Sequence, residues 1–190
     1  MFVGAYWGKR KEARDECAKR IFEILNRVRG MHPTLEAWFL KGRKKSGLPD
    51  SAVEFSLQQI SRILRTNNRD TDGQPIPELG FSIGVWNGKH ELSASFSASC
   101  GGWSNLVKNS AVLDFDSSWN ENNFLSQDRM REVLVEFIRA FEPDVAVVTS
   151  HEYLDRAGGG APWEAGGWLV YDRSRDVHEM LSKALSEEFN

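Results

Sequence analysis

The sequence predicts an α+β fold: a mainly antiparallel sheet with amphipathic helices packed on it, in a single domain spanning residues 1–190. Consecutive strand patterns in the middle of the chain are joined by turn signals, which is typical of antiparallel neighbours. Apolar residues recur at helical spacing in other segments. The length of 190 residues and the apolar content of 41% suit one compact core.

The first two elements are a strand and a helix. Residues 2–7 are rich in strand-forming side chains and end at Gly8. Apolar residues then recur at helical spacing with charges on the opposite face, which predicts a helix from about Lys11 to Val28. Gly30 and Pro33 mark its end.

A second helix follows a short segment of open assignment. Residues 35–40 suit either a short strand or a helical turn. Ser51 and Glu54 form a capping box, which predicts a helix from about Ser51 to Arg65. Residues 67–77 are polar and rich in turn formers, so they predict a loop.

Three strands come next in the pattern. Residues 81–86 predict a strand, and Asn87-Gly88 after it is a strong hairpin signal. Residues 91–99 alternate strictly between apolar side chains and glutamate or serine, so we expect one buried face and one face in water. Residues 111–115 predict a third strand of the same sheet.

The C-terminal third begins with the clearest amphipathic pattern. Ser126 caps a helix predicted to extend to about Phe141. Strands are predicted at residues 145–149 and 168–171, separated by a glycine-rich loop at 150–167. A short helix from about Asp176 to Glu187 is expected to close the chain.

The charge distribution is uneven along the chain. The net charge is −3, yet residues 1–45 carry 12 basic against 5 acidic residues and residues 110–190 carry 7 against 16. The structural explanation of this asymmetry is that solvated faces of opposite charge pair with each other in the fold. An acidic surface that steers a basic partner is the functional one.

Targeting signals and disulfides are not predicted. The N-terminus lacks the charge-then-apolar order of a secretory signal, and no apolar run reaches the length of a membrane span. Cys17 and Cys100 do not form a disulfide framework. We therefore expect a soluble cytoplasmic protein without a membrane partner.

Catalytic patterns are weak. The four histidines lack zinc-site spacing, and Cys100 before Gly101-Gly102 lacks the context of a nucleophile. Asp114 and Asp116 fall on one side of a strand end, where they suit a hard divalent cation or else simply face solvent. A small metal-assisted hydrolase using this pair is an alternative, but we expect no enzyme and no cofactor.

A nucleic-acid-binding regulator is the other alternative. Its one candidate is the basic stretch Lys41, Arg43, Lys44 and Lys45. The sequence pI near 5.9 and the lack of interleaved aromatic residues favour a solvated loop instead. We therefore expect no nucleic-acid partner.

Tryptophans in loop-like sequence are the remaining signal. Trp103, Trp119 and Trp163 lie among small and polar residues, so each either packs on the core or contacts a partner. Carboxylates flank the last two, which is typical of a protein-binding face. The predicted face comprises Asp114, Asp116, Trp119, Glu121, Asp155, Trp163 and Glu164.

Short motifs along nearly the whole chain resemble one protein family. They begin with Gly4-Ala5-Tyr6-Trp7-Gly8 followed by Arg10, Glu12 and Cys17-Ala18, and continue in order. The later ones are Trp38 with Lys41-Gly42, Leu79-Gly80-Phe81-Ser82, Trp86-Asn87-Gly88, Asn109-Ser110 with Val112-Leu113, Glu142-Pro143-Asp144 and Gly167-Trp168. In these motifs the chain resembles the immunity protein 52 family of bacterial polymorphic toxin systems.

The resemblance implies a specific function. Such a protein is made beside a secreted toxin, often a nuclease of restriction-endonuclease type delivered by a secretion system such as type VI, and neutralises it by direct contact. The resemblance transfers no catalytic or binding residue. Occlusion of the toxin's active site and blocking of its assembly or folding both stay open, as does the chain's own oligomeric state.

Overall fold

The computed structural model describes residues 1–40, 56–67, 70–105, 107–122 and 124–174, with the side chains of 65–67 and 120–122 left out. Three predictions lie outside these residues: the capping box Ser51–Glu54, the basic stretch 41–45 and the C-terminal helix 176–187. Within the described part, the predicted α+β fold with an antiparallel sheet is confirmed.

Seven strands of the described chain form one sheet in the order β2-β3-β4-β5-β1-β6-β7, and every neighbouring pair is antiparallel. The strands are β1 (Phe2–Trp7), β2 (Phe39–Leu40), β3 (Phe81–Trp86), β4 (Ala94–Cys100), β5 (Asn109–Phe115), β6 (Val145–Thr149) and β7 (Leu169–Asp172). The N-terminal strand therefore lies near the middle of the sheet and is paired on both sides.

Helices complete the described architecture. They are α1 (Arg14–Arg29), α2 (Leu57–Asn67), α3 (Gln127–Phe141), α4 (His151–Arg156) and α5 (Pro162–Ala165), with short 3-10 turns at Pro33–Leu35, Pro77–Leu79 and Ser117–Asn122. The predicted cap of α3 is confirmed, since the Ser126 side chain accepts a hydrogen bond from the Arg129 backbone N–H.

The main core lies between one face of the sheet, called here the helical face, and helices α1, α2 and α3. Alternation along each strand sends apolar side chains to this face, as Ala94, Phe96, Ala98 and Cys100 show on β4. The opposite side chains form the outer face. On β1 these are Phe2, Gly4 and Tyr6.

The predicted hairpin after β3 is confirmed by the antiparallel pairing of β3 and β4, but its connection differs from the prediction. Asn87 is buried, and its amide donates to Leu92 O at 2.7 Å and to Thr34 O at 3.3 Å, while its oxygen accepts from Ala94 N at 3.0 Å. Leu92 takes a left-handed φ of 53°. The connection is thus a longer loop built around one asparagine, and β4 begins at Ala94 rather than at Glu91.

The predicted glycine-rich loop at 150–167 is also wrong in part, because it contains the short helices α4 and α5. No helix in the described part of the chain has the length and hydropathy that a membrane span requires.

Candidate functional site

The outer face carries a second, smaller apolar cluster. Phe2, Tyr6 and Val147 are its buried members, with Leu154 and Trp163 among the half-buried side chains packed on them. Since the main core lies on the other side of the sheet, this cluster must be covered by something else.

Residues 150–168, called here the flap, supply that cover. Ser150 caps α4 by accepting a hydrogen bond from Tyr153 N at 3.0 Å. The Tyr153 hydroxyl donates to Ala165 O at 3.4 Å, which joins α4 to α5. The flap returns to the sheet where Trp168 N donates to Val148 O at 2.8 Å. It lies over β1 and β6 and closes only part of the outer face.

Contacts among Gly4, Tyr6 and Trp163 hold the flap to β1. A Cβ placed on Gly4 would lie 2.8 Å from a ring carbon of Tyr6, so only glycine leaves room for that ring. The Tyr6 ring in turn packs on Trp163 at 4.9 Å between centroids. Burial raises the pKa of Tyr6 to about 12, as expected for a phenol that lies beneath the flap.

Trp163 itself sits at the edge of the flap. The ammonium of exposed Lys108 lies 4.1 Å from the Trp163 ring centroid, within cation–π range. Its Nε1 is buried and has no hydrogen-bond partner among the described residues. The structure places Trp163 half-buried, between the outer-face cluster and solvent.

Asp114 lies beside the flap on β5. Its Oδ2 is 3.1 Å from Nε2 of His151, the first residue of α4, and the His151 ring packs on Phe2 at 5.0 Å. Oδ1 is buried without a hydrogen-bond partner in the described chain. Asp114 and Trp163 therefore lie on the same face of the sheet.

Asp116 has a different role. Its Oδ2 accepts from Ser93 N at 2.9 Å, and its Oδ1 accepts from Ser118 N at 3.0 Å and from the Ser118 hydroxyl. Both oxygens thus hold the turn after β5. Among the described residues no group of three or more His, Cys, Asp or Glu is placed to hold a metal ion.

Trp119 lies in the core, which is one of the two placements that the sequence left open for each of these tryptophans. It is 0% exposed, its Nε1 donates to Ser93 O at 2.8 Å, and its ring packs against Phe115 and Phe124. A partner has no access to this side chain. Local sequence did not reveal this, because the Phe115, Phe124 and Ser93 contacts join separate segments of the chain.

The other predicted residues are placed as follows. Asp155 on α4 and Glu164 on α5 are exposed on the flap. The side chain of Glu121 lies outside the described part of the chain. Of the predicted residues, Asp114, Asp155, Trp163 and Glu164 therefore lie on the outer face or in the flap.

Cys100 is unsuited to nucleophilic catalysis. It and Cys17 are both fully buried. A hydrogen bond with Cys17 and then burial raise the pKa of the Cys100 thiol far above its ordinary value. The thiolate needed for attack is thus strongly disfavoured.

Several motif residues prove to be structural. The Asn109 amide donates to Gly8 O at 2.7 Å and to Gly102 O at 3.0 Å, and its oxygen accepts from Gly102 N at 2.8 Å. Gly8 N donates to Asp144 Oδ2 at 2.8 Å. These contacts tie the ends of β1, β5 and β6 together, which explains the residue types without any ligand.

A cavity of about 500 Å³ lies between α1 and α3 on the other side of the molecule. Phe22 and Met31 contribute apolar surface, and Glu132 and Glu136 are paired with arginines. Sequence reasoning did not identify this cavity. Its charges are largely neutralised internally, whereas those of Asp155 and Glu164 face solvent.

Two comparisons with known proteins bear on this geometry. The family model described as Immunity protein 52 matches residues 1–176 of the chain. The match runs through every described strand and both helices of the flap. A comparison with curated proteins finds no match.

Proposed function

The chain belongs to the immunity protein 52 family, and we propose that it neutralises a nuclease toxin of restriction-endonuclease type in the cytoplasm by direct contact through its outer face. The family itself implies the coarser statement: this is the immunity protein of a toxin–immunity pair and binds a cognate toxin. The family also suggests a non-enzymatic role.

The observation that carries the proposal is the charge of the two sides of the sheet. The outer face and flap bear more carboxylates than cations within the described chain: Asp114, Glu152, Asp155, Glu164 and Asp172 against Lys108 and Arg156. The helical layer differs, since α1 alone has five cations against three carboxylates. A nuclease presents a basic surface to phosphates, and an acidic face complements it.

Trp163 supplies the apolar anchor of this proposal. Tryptophan is enriched among the few interface residues that dominate binding energy. Its position at the flap edge, packed on Tyr6, gives a half-buried ring in a flap that also carries the exposed Asp155 and Glu164. Carboxylates of the flap speed association with a basic partner, while the anchor slows release.

The testing experiment uses the purified chain and the toxin domain encoded in the neighbouring reading frame. We expect a stable complex by calorimetry and loss of toxin-catalysed DNA or RNA cleavage at equimolar chain. Cells that express the toxin should survive only with the chain present. A toxin that is bound but cleaves no nucleic acid would refute the nuclease assignment, whereas absence of any complex would refute the proposed pair.

Localisation is tested separately. A cytoplasmic inhibitor meets the toxin inside the producing or recipient cell, so fractionation should recover the chain with cytoplasmic markers. Recovery with periplasmic markers would contradict that part of the proposal.

A further inference from the structure

The part of the outer face that the flap leaves open has an unusual composition. It is called here the serine floor and consists of Ser82 and Gly84 on β3, Ser95, Ser97 and Ser99 on β4, and Ser110 on β5. The register brings them side by side, with Ser97 between Gly84 and Val112. The same strands carry isoleucine, valine, phenylalanine and leucine on the helical face.

Small side chains on three adjacent strands have a physical consequence. Serine and glycine are weak strand formers, so local propensity does not account for them here. Glycine inside a strand is typical of a place where another backbone approaches closely. Within the described residues Ser97 at the centre of the floor is exposed and the other floor residues are half-buried. The floor is therefore shaped to receive a segment of chain rather than a single side chain.

The borders of the floor define its width. The flap and Phe2 lie beyond β5 on one side, and the half-buried Phe39 on β2, which pairs with Trp86 of β3, lies on the other. Three strands spaced by about 4.8 Å span roughly 10 Å between outer strand axes. This width fits one helix or one extended segment.

The charge beside the floor indicates which side chains an occupant would carry. Asp114 pairs in register with Ser95, and its Oδ1 is buried without a hydrogen-bond partner among the described residues. Asp155 and Glu164 are exposed on the flap. The Asp114 side chain is 37% exposed beside the floor, so an occupant with cationic side chains meets its carboxylate and the acidic balance of the outer face and flap, whereas a nucleic acid would be repelled.

We propose that the serine floor is the docking surface for one basic segment of the cognate toxin, which lies across β3, β4 and β5 with a cation at Asp114. The inference rests on the proposed function and adds where the toxin lies. It separates the floor, which receives the segment, from the flap, which holds Trp163 beside it.

Thiol labelling tests the docking directly. Cys17 and Cys100 are both buried, so Ser97→Cys adds an accessible thiol at the centre of the floor. Gln58→Cys adds a matched thiol to exposed α2 on the helical side. In full-length chain, maleimide should label both rapidly, and bound toxin should slow labelling at position 97 by at least about 10-fold while leaving position 58 unchanged.

Each other outcome of the labelling has a defined meaning. Equal labelling of position 97 in the free chain and in the complex would overturn the docking surface and leave the proposed function standing. Slow labelling of position 97 in the free folded chain would show that a segment of this chain covers the floor, which also overturns it. Failure of the unsubstituted chain to bind toxin would remove both proposals.

Substitution tests the charge of the occupant. Ser97→Gln and Ser97→Arg add similar bulk, and only the second adds a cation. We expect toxin affinity to fall by about 10-fold for Ser97→Gln and about 100-fold for Ser97→Arg, while Gln58→Arg stays within about 2-fold. Equal losses for the two Ser97 variants would overturn the basic character of the segment, and no loss would overturn docking itself.

Discussion

The two faces of the sheet use the same strands for different purposes. On β4 the helical-face residues Ala94, Phe96 and Ala98 are almost fully buried, whereas Ser97 on the outer face is exposed. Three helices cover the helical face, and a flap with two helices of six and four residues covers part of the outer face. The comparison teaches that the larger core lies on one face of the sheet, which leaves part of the other face accessible to a partner.

The two faces also place two of the loop tryptophans differently. Trp119 is enclosed by aromatic rings and hydrogen-bonded to Ser93 O. Trp163 contacts Tyr6 and Lys108 and keeps part of its surface in solvent. Substitution at the first should therefore change the free energy of unfolding, and substitution at the second should change toxin binding.

The largest expected effect is that of Trp119→Ala. Removing a fully buried indole leaves a cavity and an unpaired Ser93 carbonyl, so the free energy of unfolding should fall by about 3–5 kcal/mol. Urea unfolding measures it. Trp103→Ala is the matched control, because Trp103 is 42% exposed and its loss should cost less than about 1 kcal/mol. Equal costs would contradict the assignment of Trp119 to the core.

Gly4→Ala should have a smaller effect that reaches the flap. The new methyl group would meet the Tyr6 ring, so we expect a loss of about 1–3 kcal/mol in the free energy of unfolding. Amide exchange in residues 150–168 should become faster at the same time.

A double-mutant cycle isolates this contact. In a Tyr6→Ala background the obstacle is gone, and Gly4→Ala should cost less than about 0.5 kcal/mol. The same cost in both backgrounds would show that Gly4 acts through something other than the Tyr6 ring.

The smallest expected effect is a pH dependence of the outer-face cluster. Burial raises the pKa of Tyr6 from 10.0 to about 12, so the fold favours the neutral phenol. Its contribution is complete below about pH 10 and is lost as pH rises through about 12. As the pH rises between these values, the free energy of unfolding should fall for both proteins. The fall should be smaller for Tyr6→Phe than for the unsubstituted chain, by on the order of 1 kcal/mol. Thermal unfolding across this range measures it, and parallel curves for the two proteins would contradict the burial of Tyr6.

Sequence patterns predicted the helical face much better than the outer one. Helical spacing located α1 and α3, and strict alternation located most of β4, because burial of one side imposes a period on the residues. Ser126 was identified as a cap because its hydrogen bond is local. These signals depend only on near neighbours in the chain.

The outer face was only partly predictable, for physical reasons. Helices α4 and α5 are too short to show a period, and Leu154 and Trp163 are their main apolar contacts with the sheet. Trp119 has carboxylates near it in sequence, but contacts with Phe124 and Ser93 bury it. The alternation of serines on β4 was visible, yet only the register with Gly84 and Ser110 shows that they form a continuous floor.

The central claim is that the outer face binds the toxin while the helical face holds the fold. The most direct measurement is the toxin affinity of Trp163→Ala by calorimetry, at a temperature where thermal unfolding shows the variant to be folded. We expect the affinity to weaken by about 2 kcal/mol. Unchanged affinity would contradict the account.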